Sequence, residues 1–124
     1  MRKQYFFRPS ENGLLAWDVD RLVARSATLQ VKRVPLTAIR ELDAPWTGDD
    51  ESRTWRAMAA HIKLIEDAEL KYPIILAANG DVMDGMHRVV KALLSGISMI
   101  EAVQFETDPE PDHVGKGPND LPYE

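Results

Sequence analysis

The chain has no cysteine. That excludes a disulfide framework, a thiolate zinc site and any thiol nucleophile. Histidine is scarce as well: His61, His87 and His113 are the three present, and their separation offers no metal-ligand spacing, so no metal-ligating set is expected. Long apolar runs are missing too. Nowhere do about 18 apolar residues follow one another as a membrane-spanning helix requires, and the opening "MRKQYFFRPSENG" lacks the apolar stretch of a signal peptide. The expectation is a cytoplasmic protein with no membrane partner. An excess of positive charge is the last absence. The formal net charge is −5, with a pI near 5.2, whereas a duplex-DNA module presents a dense basic patch and a basic pI, so duplex DNA is not an expected partner.

What is present is enough for one core: 124 residues, 44% of them hydrophobic, match a single small domain. The charge is uneven. Residues 106–124 hold six acids against Lys116, which leaves 14 acids and 14 bases in residues 1–105. Within that part, residues 1–40 carry eight Lys or Arg against Glu11, Asp18 and Asp20, so the N-terminal third is basic.

Short elements follow one another without repeats. "AWDVDRLVARSA" reads as a helix capped at Asp18, with Val19, Leu22 and Val23 on one face. "LQVKRVPL" alternates like a strand that Pro35 ends. "DAPWTGDDE" has loop composition, after which Trp55, Met58, Ala59, Ile62 and Ile65 recur at helical spacing to about Ala68, a stripe expected to pack in the core with His61 beside it. "YPIILAANGDVMD" predicts a strand, an Asn79-Gly80 hairpin turn with positive φ at both central residues, and a second short strand. Met86, Val90, Leu93, Leu94 and Ile97 then share a helical face, Gly96 suits a C-terminal cap, and "ISMIEAVQF" returns as a strand. From Glu106 onward, four prolines among acidic and glycine residues predict a tail without periodicity. Val114, Leu121 and Tyr123 are its expected anchors on the core or on a neighbouring subunit, with its acids facing the basic N-terminal third.

The stretch "GDVMDGMHRVV", residues 80–90, concentrates the chemistry. A strand ends near Asp84, Gly85 turns the chain, and a helix begins near Met86, which groups His87, Arg88 and Lys91 within its first two turns. The unbonded N–H groups of a helix N-terminus act like roughly half a positive charge, so cations there are disfavoured by about 0.3–1 kcal/mol each unless an anion is present. A bound phosphate reverses the sign. Backbone N–H groups after Gly85 would cradle it and Arg88 would grip two oxygens at once. The competing reading is structural: Asp84 as N-cap, Arg88 paired with Asp84 or Asp81, and Lys91 solvated.

On these residues, "YPIILAANGDVMDGMHRVVKALLSGISMIEAVQF" resembles the ParB/sulfiredoxin superfamily, whose domains carry a Pro-Ile strand, a short hairpin, a Gly-x-His/Arg-Arg turn opening a helix, and a closing strand. The resemblance covers about residues 30–105, "VKRVPLTAIREL" resembling the strand and turn with which such domains begin. It implies an α+β fold, a small mixed sheet with flanking helices, over residues 1–105, followed by the tail at 106–124. It also implies nucleotide phosphate binding at Gly85, His87 and Arg88, with Asp84 as a further polar group; Met86 and Lys91 complete the expected phosphate-binding set.

Departures from the family narrow the activity. Met86 stands where sulfiredoxins place their catalytic cysteine, which removes the reductase reaction. The chain shows an acidic tail where ParB partition proteins continue into a helix-turn-helix region. Free-serine kinases of the superfamily carry a similar Asp-Gly-His-His-Arg turn and use an acidic residue after the first strand as base; Glu41 occupies that place here, while Met86 replaces their first histidine. The expectation is a stand-alone domain for a nucleotide or phosphorylated small molecule. Phosphotransfer or nucleotide hydrolysis would engage Glu41, Asp84 and His87, and magnesium would accompany the nucleotide. The alternative is a non-enzymatic ParB-like domain that binds a protein or nucleic acid, and either version allows a homo-oligomer.

Overall fold

The computed structural model describes residues 3–45 and 54–123. It shows a small α+β domain with two sheets and three α-helices among the described residues. The first sheet joins β1 (Tyr5–Ser10), β2 (Gly13–Asp18) and β7 (His113–Val114) in the order β1-β2-β7. The second has the order β3-β6-β4-β5, from β3 (Lys32–Pro35), β4 (Ile74–Leu76), β5 (Val82–Asp84) and β6 (Met99–Gln104). Only the β4 and β6 pair is parallel; β3 and β5 run antiparallel to their neighbours. The helices are α1 (Val19–Ser26), α2 (Trp55–Asp67) and α3 (Met86–Leu94). No described helix is long and apolar enough to cross a membrane.

The second sheet is apolar on both faces because both are covered. Ile74, Leu76, Val82, Ile100 and Ala102 face α3, where Val89 and Ala92 complete one core. Their alternating neighbours Ile75, Met83, Val103 and Phe105 face Trp17 and Leu22, so the N-terminal hairpin and α1 close the other side. Pro9 and Pro35, which cannot donate to a ladder, sit on the edge strands β1 and β3.

Several expectations change here. The Asp18 cap itself holds: α1 follows β2 directly, with the Asp18 carboxylate accepting from Asp20 N. On α1, Leu22 and Ser26 are buried while Val23 is 51% exposed, so the apolar face is narrower than its spacing predicts. The α2 stripe is the largest correction: Ile65 is buried, but Trp55 is 85% exposed, and Met58 and Ile62 lie open beside it. Periodicity shows that these residues share a face; it does not supply a surface to cover them. On α3 the buried residues are Val89 and Ala92, with Leu93 and Leu94 exposed, because the close sheet accepts small and branched side chains.

The turn between β4 and β5 also differs. Gly80 N donates to Ala77 O and Ala77 N to Asp81 O, and among the described residues positive φ is confined to glycine, so Asn79 does not adopt it. This is an Ala77-to-Gly80 turn with Gly80 as its single left-handed residue. Gly96, by contrast, caps α3 with positive φ as the sequence predicts, and Ile97 N reaches back to Ala92 O. Of the loop expected at residues 43–51, positions 46–51 lie outside the described residues; Asp43 ends a short 3₁₀ helix, Arg40–Asp43.

The C-terminal stretch is built into the first sheet. Its β7 pairs with β2, Trp17 Nε1 donates to Pro109 O at 2.7 Å, and Asp18 N donates to Asp112 Oδ2 at 2.8 Å. Leu121 is buried and Tyr123 meets Tyr5 edge-on, while Val114 holds by its backbone with its side chain exposed. The acids do face the basic third, in the pairs Asp108 with Arg8 and Asp112 with Arg21.

Candidate functional site at the strand-to-helix turn

Gly85 joins β5 to α3 with φ +115, and a Cβ there would come within 2.6 Å of Ile74 Cγ2. The turn lies directly on β4, so packing alone requires glycine. As N-cap, Gly85 provides no side-chain acceptor for the first N–H groups of α3. Asp84, the residue before it, does not turn in to cap the helix. It pairs with Arg88, Oδ2 to Nη2 2.8 Å, and both side chains are largely buried.

Arg88 has further partners: Nη1 donates to Pro73 O at 2.7 Å and to Tyr72 O at 3.0 Å. The guanidinium thereby clamps α3 to the segment entering β4. Lys91 is not solvated either. Its ammonium donates to Glu66 O and Ala68 O, the carbonyls at the end of α2, where a cation is favoured. Two of the three grouped cations thus hold the two helices and the sheet together.

His87 is different. Its Nε2 lies 3.3 Å from Nδ1 of His61 on α2, with the ring centroids 4.7 Å apart. Burial foremost, then His61 and Arg88, hold the His87 pKa below the usual histidine value against the opposing pull of Asp84, which keeps the imidazole neutral at pH 7.

Two open clefts of about 730 and 710 Å³ meet at Asp84, Gly85 and His87. Lys3, Tyr5, Phe7, Asn119 and Tyr123 face residues 82–87 across the first. Val19, Val23 and Leu29 face Tyr72, Pro73 and Arg88 across the second. Lys3 is held there by Asp18 at 2.9 Å and Asp20 at 3.1 Å, which raise its pKa.

The structure therefore gathers Asp84, Gly85, Met86, His87 and Arg88 around the clefts, whereas Lys91 and Glu41 line neither. Glu41 Oε2 accepts from Val82 N at 2.6 Å, fixing the start of β5, and Oε1 is buried without a hydrogen-bond partner. Beside it, Arg40 pairs with Asp81. Among the described residues no group of three or more His, Asp or Glu side chains is placed to hold a metal ion, and Asp84 is committed to Arg88, so a magnesium ion would be held by nucleotide phosphates rather than by a protein cage.

Sequence reasoning missed Lys3, Tyr5, Tyr123 and His61. Lys3 and Tyr5 reach the site with the N-terminal hairpin, whose signal was Asn12-Gly13 between "YFF" and "LLAW", and Tyr123 by packing edge-on against Tyr5. No spacing joins His61 to His87; only the packing of α2 on α3 does. No protein-family model, curated protein or solved structure matches the chain.

Proposed function

We propose that the protein binds a nucleotide or other phosphate-bearing small molecule in the clefts that meet at the start of α3, as a ParB/sulfiredoxin-like domain of the cytoplasm. The observation that carries this reading is the convergence of both clefts on Asp84, Gly85 and His87, where a helix begins without a side-chain cap. Main-chain N–H groups at such a terminus favour an anion. The Asp84 charge that would repel it is neutralised by Arg88. The resemblance of residues 30–105 to ParB/sulfiredoxin domains supports the same ligand class. If the ligand reacts, phosphoryl transfer or hydrolysis is the fitting class, and neutral His87 is the group in the clefts suited to accept a proton.

Calorimetric titration with ATP, CTP and ADP tests the proposal, alongside His87→Glu, which places a negative charge where the phosphate would lie. Saturable binding by the wild type that the variant loses supports it. Absence of binding by the wild type to every nucleotide and to inorganic phosphate rejects it.

A second reading is a non-enzymatic domain that docks a protein, a second copy of the chain included. It is favoured by the exposed apolar residues Trp55, Met58 and Ile62 on α2. Sedimentation of wild type and Trp55→Ser separates the two, since the nucleotide reading needs no change in mass.

A further inference from the structure

His61 and His87 are 26 residues apart in sequence, yet α2 and α3 bring His61 Nδ1 and His87 Nε2 to 3.3 Å. Two nitrogens bound to one tetrahedral zinc at about 2.0–2.1 Å stand about 3.3–3.4 Å from each other. The rings pack with centroids 4.7 Å apart and cross at 61°, and the tautomers decide which nitrogen donates in the metal-free pair. In the tautomers that leave both of these nitrogens unprotonated, the pair can share one ion in place of that hydrogen bond.

We propose that His61 and His87 form a two-imidazole site for a borderline first-row divalent cation such as zinc or nickel. Imidazole nitrogen selects these ions over magnesium or calcium, which require oxygen. The ligating form is the neutral ring, with the proton on His61 Nε2 and His87 Nδ1, and the surroundings of His87 already favour neutrality. Both rings are only half-buried, and His87 lines both clefts, so an ion has a path in. The two histidines fill half of a tetrahedral shell; the rest falls to solvent or to an anion in the clefts. No bound nucleotide is needed, so this site stands or falls separately from the phosphate reading.

The test uses the full chain after chelator treatment, titrated with Zn²⁺ or Ni²⁺ alone by calorimetry at about pH 7.5 and about pH 5.5. The expected result is one ion per chain, affinity at least tenfold lower in His61→Ala and in His87→Ala, no change in His113→Ala, and loss of binding at the lower pH as the imidazoles protonate. Long-range ¹H–¹⁵N spectra of the wild type provide a readout that needs no variant: the ion should move the resonances of His61 Nδ1 and His87 Nε2. No saturable binding, binding that survives both substitutions, or unmoved resonances at these two nitrogens would overturn the proposal.

Discussion

The Arg88 guanidinium reaches back one turn to the Asp84 carboxylate at 2.8 Å while donating to the carbonyls of Tyr72 and Pro73. One side chain thus ties the start of α3 to β5 and to the segment before β4. Arg88→Ala would leave a largely buried carboxylate and two carbonyls unmatched, at a cost of about 1–3 kcal/mol. Arg88→Lys should recover only part of it, because an ammonium cannot reproduce the guanidinium fork. Urea unfolding of the three proteins measures this; an Arg88→Ala variant as stable as wild type would show that the clamp contributes nothing.

Gly85 and Gly80 both have positive φ, but a Cβ at Gly85 strikes Ile74 whereas one at Gly80 meets nothing within 4 Å. Gly80→Ala should therefore cost only backbone strain, of order 1 kcal/mol, and Gly85→Ala clearly more, through the same strain plus displacement of β4. Equal losses of melting temperature would contradict the packing described for the turn.

Acid should weaken the fold in two stages. His87 has a pKa lowered from 6.5, so its contribution is complete above that pH and is lost as pH falls through the lower folded value. Asp18 and Asp108 follow. Burial by itself would raise their pKa values, but Lys3 and Asp20 N at Asp18, and Ala78 N and Arg8 at Asp108, outweigh it and lower them from 3.8. Their contributions are present above about pH 4 and fade below it. Unfolding free energy measured from pH 8 to pH 2 should show both declines, and His87→Gln should remove the first alone.

Trp17 and Trp55 set buried against exposed aromatic area, at 2% and 85% exposure. Trp17→Ala should cost about 3–5 kcal/mol, and Trp55→Ala within about 0.5 kcal/mol in a monomer. A large loss at Trp55, growing with protein concentration, would point to self-association through α2.

Legibility of this fold in the sequence followed how local each cause was. The Asp18 cap, the Gly96 cap, the strands around Ile74, Val82 and Ile100 and the start of α3 depend on neighbouring residues, and the sequence shows them. The exposure of Trp55 and Leu94 depends on whether another element lies opposite, which periodicity cannot report. The same holds at the site. Gly85, Asp84 and the Asp84–Arg88 pair are recognisable in "DGMHR", but the other partners of Arg88 and those of Lys91 are carbonyls at residues 66–73, invisible to any reading of side-chain type. His61 joins His87, and residues 108–112 join the N-terminal hairpin, by long-range packing alone.

The central claim is that an anion occupies the start of α3, and backbone amide mapping tests it most directly. Adding ATP, and separately inorganic phosphate, to the ¹⁵N-labelled protein should produce saturable shifts that are largest at the amides of residues 85–88, with smaller ones at Lys3 and Tyr5 across the cleft. Amides 85–88 that stay unmoved at saturating nucleotide, or shifts centred on another part of the molecule, would contradict the account.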